Sequence, residues 1–314
     1  MSRWPVPNVA TLFGTEHPIV QAGMVYNSGA RLAAAAAEAG CLGLIGAGGR
    51  RPDDLRAEIR AARALTSRPV GVNIPLIDKH AHESLDLALE EGVGILVTSA
   101  GSPARVAGRI KAAGAVFVHV VATAALARKC EDAGCDAVVC EGFEAGGHNG
   151  RDELTTLVLV PACVSAVDIP VIAAGGIATG AQIAAMFALG AAGVQIGSRF
   201  AVTRESAGHE TFKRAVVEGD DTRLVLKKHV PVRLLRNAFR DRVEELEARG
   251  AGREELAALL GEGRARRGMG EGDLEEGELE IGQVAALIDD VPGVAELVER
   301  LLAQYDAAAS RFGG

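Results

Sequence analysis

The sequence predicts an α/β fold, a (β/α)8 TIM barrel carrying a small, mostly helical cap. Three observations point there. Eight short apolar runs recur along the first two-thirds of the chain. Glycine-bearing turns and Ala/Leu-rich segments separate them. Their spacing, roughly 25 residues, is that of βα units.

The predicted strands are, in order, Ile19–Gln21, Leu42–Gly46, Val70–Ile74, Ile95–Ser99, Val116–Val120, Ala137–Glu141, Val171–Ala174 and Gly193–Ile196. They are apolar on consecutive residues, as strands covered on both faces are. Helices are expected at Arg31–Ala39, Asp53–Leu65, His82–Glu91, Pro103–Ala113, Ala124–Ala133 and Ala181–Leu189. Several end in Ala-Gly or Leu-Gly (Ala39-Gly40, Ala113-Gly114, Ala133-Gly134, Leu189-Gly190), the left-handed stop of a helix. A doubly wound open sheet uses the same units. The count of eight favours the barrel, and so does the first turn, Gln21-Ala22-Gly23-Met24, which has no GxGxxG fingerprint.

The expected organisation is a barrel over residues 1–205, a helical cap over 206–282 and a C-terminal helix over 283–314 that packs back on the barrel. Charge becomes dense after Phe200, with Lys227-Lys228, Arg233, Arg236, Arg240-Asp241-Arg242 and Glu244-Glu245. The basic run Arg264–Arg267 reads as a solvated helix face.

Of 314 residues, 48% are hydrophobic and only 4% aromatic, so small apolar residues do most of the packing. A net charge of −8 excludes the basic face that nucleic acid requires. No apolar run reaches the roughly 18–20 residues of a membrane span. Met1-Ser2-Arg3-Trp4-Pro5 lacks the apolar stretch of a secretory signal, so a cytoplasmic location is expected. The five cysteines form no CxxC pair and no zinc spacing, and read as buried free thiols. No metal site is expected.

In a barrel, ligands sit where the turns after the strands converge. After the seventh strand comes Ala174-Gly175-Gly176, and after the eighth Ile196-Gly197-Ser198. Glycines there let backbone N–H groups approach an anion, and these two loops are the usual phosphate site of barrels. A phosphate site alone does not specify a flavin. The sixth strand ends in Glu141-Gly-Phe-Glu144-Ala145-Gly-Gly147-His148-Asn-Gly150. His148, among glycines and with a pKa near neutrality, suits proton transfer. Glu141 can accept hydrogen bonds from ribityl hydroxyls, and Glu144 can brace the loop through backbone amides. Asn73, at the end of the third strand, offers donor and acceptor to a ring edge, or caps its own turn. His119 faces the barrel mouth or is a satisfied core histidine. The turn Ala22-Gly23-Met24 can pass its backbone beside a flat ring.

Taken together, Gln21-Ala-Gly-Met24, Gly71-Val-Asn-Ile74, the Glu141–Gly150 loop, Ala173-Ala-Gly-Gly176 and Gln195-Ile-Gly-Ser-Arg-Phe200 resemble the nitronate monooxygenase / enoyl-acyl-carrier-protein reductase II family. The resemblance covers nearly the whole chain, including Pro231–Phe239, Glu271-Gly-Asp273 and Ile281-Gly-Gln283. It implies FMN at the barrel mouth, its phosphate on Gly175, Gly176, Gly197 and Ser198, flanked by Ala174 and Ile196. It places Gly23, Met24, Asn73 and Glu141 along the flavin, adds Ala22, His119, Ala145 and Gly147 to the contacts, and makes His148 the catalytic or substrate-orienting group. Ala22 and Tyr26 depart from the common Gly and Trp, and Ser198 from the frequent Thr. Tyr26 keeps an aromatic wall but leaves the shape of the acyl pocket open.

The Gly-Gly-His-Asn-Gly form, with Leu154-Thr-Thr-Leu157 and Gly277–Gly282, is closer to the reductase branch. There NADH or NADPH, binding transiently, reduces the flavin for a trans-2-enoyl thioester, carried on acyl-carrier protein or as a small molecule in fatty acid biosynthesis. The alternative is a nitronate monooxygenase oxidising alkyl nitronates with O2. A flavin-free lyase or isomerase using the phosphate site is a third reading. A homodimer stands among the expectations for partners.

Overall fold

The computed structural model describes residues 3–311. Met1 and Ser2 of the amino-terminal stretch, and residues 312–314 of the C-terminal segment, lie outside the described residues.

Eight parallel strands close into a barrel. In chain order they are β1 (Ile19–Gln21), β2 (Leu42–Gly46), β3 (Val70–Pro75), β4 (Ile95–Ser99), β5 (Val116–Val121) and β6 (Ala137–Glu141), then β8 (Val171–Ala174) and β9 (Gly193–Ile196). Closure is made by β1 against β9, with Ile19 opposite Val194 and Gln21 opposite Ile196. The helices Ala30–Glu38, Pro52–Leu65, Ala81–Glu90, Ala104–Ala112, Ala124–Asp132, Thr156–Val164 and Gly180–Ala188 cover the outside. Each of the six helices expected from sequence is present within one residue at either end. Thr179 begins the last of them with a capping box closed by Gln182.

The strands alternate between two cores. Val20, Leu42, Leu44, Val97, Val118, Val139 and Ile172 fill the barrel, whose base Val9 and Phe13 plug. Ile45, Val72, Ile74, Leu96, Phe117, Val138 and Cys140 face the helices instead. This parity decides which residues at the strand ends look into the mouth. All five cysteines are free and buried.

Beyond the barrel the cap is helical, with Glu210–Glu218, Ala238–Ala248 and Arg253–Leu260, but it also holds a sheet that the sequence did not signal. β10 (Thr222–Val225) pairs with β11 (Val232–Leu235), and β11 pairs with the two-residue β7 (Gly147–His148). The His148 loop is therefore the third strand of the cap sheet. Arg264 is also not the solvated side chain expected of its run. It lies over the Phe239 ring at 4.3 Å and donates to Glu276 and to the Leu259 and Leu260 carbonyls. The helix Val294–Ala309 packs on Gly180–Ala188, where the Gly180 Cβ position is taken by the backbone at Leu301 and Tyr305. Trp4, Phe187 and Tyr305 form an aromatic cluster beside it. Among the described residues no helix is long and apolar enough to cross a membrane.

Candidate functional site

At the C-terminal ends of the strands opens a cavity of about 880 Å³, within the size range of ligand sites. Its floor follows from strand parity. On β3, β6 and β9 the neighbours Val72, Cys140 and Val194 face the helices, so Asn73, Glu141 and Gln195 face inward. Three polar side chains thus form the top layer of an otherwise apolar barrel. Burial pushes the Glu141 carboxyl up to about 7. Gln195 was not among the residues expected from sequence. It is 6% exposed, and its Oε1 has no hydrogen-bond partner. The signal was its position: it alternates with Val194 and Ile196 on a strand buried on both faces.

Ala22, Gly23 and Met24 line one wall. Gly23 touches Asn73 so closely that a Cβ at Gly23 would collide with the Asn73 side chain. Next to this wall, where β9 closes against β1, lie the two glycine turns. Gly175 and Gly176 have φ of +85° and +72°, a region that glycine enters without strain. A Cβ on Gly175 would stand 2.7 Å from the Gly142 carbonyl oxygen. Gly197 has ordinary contacts: its Cβ would sit 3.6 Å from Met24 Sδ and 3.7 Å from Ala22. The absent side chain there leaves space on the cavity wall, not a backbone necessity. Ser198 Oγ accepts from the Gly282 amide at 2.9 Å, which brings the segment after the cap onto the rim.

The loop after β6 closes the rim. Glu144 accepts from the Thr156 amide at 2.9 Å and from its hydroxyl at 3.1 Å, and its own carbonyl accepts from Gln283 N. This is the bracing role anticipated for Glu144. Arg233, on β11, is 2% exposed; it donates to the Phe143 carbonyl and lies over the Phe143 ring at 4.5 Å. Ala145, Gly147 and His148 line the cavity. His148 is exposed at the cavity rim, and partial desolvation by the neighbouring protein holds its pKa below the usual histidine range.

Two expected contacts are corrected. His119 does not look into the mouth. Val118 and Val120 take the inward positions on β5, so His119 points toward the helices, 3% exposed, with Nδ1 2.6 Å from Thr98 Oγ. Burial holds its pKa at about 4, so it is a neutral, hydrogen-bonded core histidine at the cavity's lining. Ile196 is likewise turned away: its side chain is 1% exposed among Ile19, Ala173 and Phe200. It contributes only its carbonyl, which accepts from Ala22 N at 3.0 Å.

Fold and site together define a (β/α)8 barrel whose mouth is framed by two glycine turns and a histidine-bearing loop. The chain matches the nitronate monooxygenase family over residues 7–304 and belongs to that family. Its relatives are oxidoreductases. It is 34% identical to the (3aS,4S,5R,7aS)-5-hydroxy-7a-methyl-1-oxo-octahydro-1H-indene-4-carboxyl-CoA dehydrogenase of Mycobacterium tuberculosis, over 93% of each chain. A probable nitronate monooxygenase of Staphylococcus aureus is 30% identical over 77% of this chain and 81% of its own. Among solved structures, FabK from Thermotoga maritima superposes with a TM-score of 0.94 at 41% identity, covering 99% of both chains. A nitroalkane oxidase from Streptomyces ansochromogenes superposes at 0.84 and 30% identity, covering 97% of this chain and 99% of the other.

Proposed function

We propose that this protein is an FMN-dependent, NAD(P)H-consuming reductase of trans-2-enoyl thioesters, carried on coenzyme A or acyl-carrier protein. The residues present fit the flavin. The unpartnered Gln195 Oε1 calls for a donor from the cavity, and the bare Gly197 leaves a cradle that a Cβ would fill. Gly175, Gly176, Gly197 and Ser198 would hold the phosphate, and Asn73, Glu141 and Gln195 the polar groups of the ribityl chain and ring. When bound, FMN supplies two-electron transfer from the nicotinamide to the substrate β-carbon.

The chain's own residues do the rest. The loop after β6 shields the site, and His148 holds a proton at its imidazole for the substrate's α-carbon or carbonyl oxygen. Transfer of that kind contributes about 10²–10⁴ in rate.

The observation that carries this reading is the lining of the cavity. Beside the glycine turns and His148, its lining includes the apolar Ile77, Pro103 and Leu126, side chains that suit an acyl chain. The likeness to FabK and to a carboxyl-CoA dehydrogenase supports it.

A second reading, nitronate oxidation with O2, is favoured by the family match itself and by the nitroalkane oxidase likeness. There His148 would accept a proton. The test is to record the visible spectrum of the purified protein, then assay it in parallel with NADH or NADPH plus crotonyl-CoA and with ethylnitronate plus O2. Bound flavin that NAD(P)H never bleaches, with or without the thioester, overturns the reductase. Oxygen uptake with ethylnitronate and no nicotinamide requirement establishes the second reading instead.

A further inference from the structure

Behind His148 lies a pair of carboxylates that the site described so far does not use. β7 and β11 pair so that His148 stands opposite Val232, and farther along the same edge Leu234 stands opposite Glu280. Cross-strand partners share a face of a sheet, as do residues two apart on one strand. His148 and Glu280 therefore project from the same face. Glu278 precedes Glu280 by two residues on the same segment, held to β11 by the Leu235 amide, which donates to the Leu279 carbonyl at 2.9 Å.

The packing is close. Gly147, with φ +72°, has its Cβ position only 2.6 Å from Glu280 Oε2, which sets this carboxylate against the His148 strand. Glu278 is 8% exposed, and Glu280 lines the cavity. Among the described residues no hydrogen bond or salt bridge from another side chain reaches either carboxyl. The nearby cations are engaged elsewhere. Arg264 faces Glu278 but donates to Glu276 and to the Leu259 and Leu260 carbonyls. Arg233, on the adjacent strand, is held at the Phe143 carbonyl and faces Glu144 and Glu153.

Two carboxylates crowded in a desolvated place resist ionising together. Burial and mutual repulsion push Glu278 up to about 7, and burial does the same for Glu280. The charge of Glu278 opposes the desolvation of the His148 ring.

We propose that Glu278 and Glu280 are positioning residues that set the charge of the His148 imidazole: Glu278 as counter-ion, Glu280 as the group that tunes Glu278. This deepens the reading of His148 as the proton-transfer group and rests on it. With Glu278 ionised, the ring is held as imidazolium, ready to donate. With Glu278 carrying the proton, the ring is neutral and ready to accept.

The two positions must act with opposite sign, which a purely structural role would not produce. In the holoprotein labelled with [13Cε1]histidine, the His148 resonance is identified by its loss in H148N and titrated by NMR. Glu278→Gln should lower the His148 pKa by on the order of one unit, the scale of a nearby counter-charge. Glu280→Gln should raise it, because Glu278 then ionises more readily. The acid limb of kcat/KM should move in the same two directions. Glu278→Asp, which keeps the charge, should hold the His148 pKa near its native value and serves if Glu278→Gln fails to fold. Shifts in the same direction for both glutamine variants, or a His148 titration unmoved in folded, flavin-retaining variants, would overturn the proposal. Unchanged turnover in H148N would instead remove His148 from the chemistry while leaving the electrostatic coupling measurable, so the two failures are distinguishable.

Discussion

Thr156 stands between Glu144 and Gly175: its hydroxyl lies 3.1 Å from the Glu144 carboxylate and 2.9 Å from the Gly175 carbonyl. One side chain thereby ties the loop that carries His148 to the glycine turn that would carry the phosphate. Thr156→Val keeps the shape and removes the hydroxyl. The buried acceptors it leaves cost about 1–3 kcal/mol. Flavin affinity should fall with them, roughly tenfold. Thermal melting and fluorescence titration with FMN read the two effects; a variant that matches wild type in both would show the tie to be incidental.

His148→Ala tests the proton-transfer role directly. The ring is no part of the barrel core, so the variant should fold and retain flavin, while turnover drops by roughly 10²–10⁴. Steady-state kinetics on the preferred substrate decide it, and loss of flavin instead of turnover would assign the residue to binding.

The glycine turns permit a sharper contrast. Gly175→Ala places a methyl 2.7 Å from a backbone oxygen at a φ of +85°. It should destabilise the flavin-free protein by about 1–3 kcal/mol. Gly197 has a negative φ of −100° and only ordinary contacts for an added methyl. Gly197→Ala should melt like wild type without flavin and yet bind FMN more weakly, because the methyl enters the cradle. Equal FMN affinity for Gly197→Ala and wild type would remove Gly197 from the phosphate site.

Arg233 links the cap to the same loop. Its Nε and one terminal nitrogen donate to the Phe143 carbonyl, at 3.2 Å and 2.8 Å, while the guanidinium plane lies over the Phe143 ring. Lysine keeps the charge but neither the fork nor the stacking. Arg233→Lys should lower stability by about 1–3 kcal/mol and raise KM more than it lowers kcat, since the loop loosens while His148 remains. A kcat effect alone would place Arg233 in the chemistry.

Much of this was legible in the sequence, and what was missed has a physical reason. The eight barrel strands are runs of β-branched and small apolar residues buried on both faces, so composition alone marks them to within a residue. The cap sheet was not legible. Thr222–Val225 and Val232–Leu235 mix arginine with leucine and valine, and β7 is only two residues whose strand character comes from pairing with β11 across 84 residues of chain. The glycine turns and His148 stood out by local composition. Gln195, Glu278 and Glu280 did not, because their significance lies in parity and in cross-strand neighbours. His119 was undecidable until Val118 and Val120 were seen to occupy the inward positions.

Glu141 gives stability a pH dependence with a definite sign. Its carboxyl is raised from an ordinary 4.5 to about 7 by burial, so between those values the folded state holds a proton that the unfolded state has released. Stability is therefore full below about pH 4.5 and is lost as pH rises through about 7. Glu278 and Glu280 are raised in the same direction and add to the trend. The flavin-free protein should accordingly melt at progressively lower temperature from pH 5 to 8. Glu141→Gln, which cannot ionise, should flatten that slope by its share while leaving the rest. Polar groups of a bound flavin that donate to the ionised Glu141 would reverse its contribution, so adding FMN should also flatten the wild-type profile. Melting curves of both proteins, with and without FMN across this range, provide the check; a Glu141→Gln profile parallel to wild type would mean that Glu141 is already ionised in the empty barrel mouth.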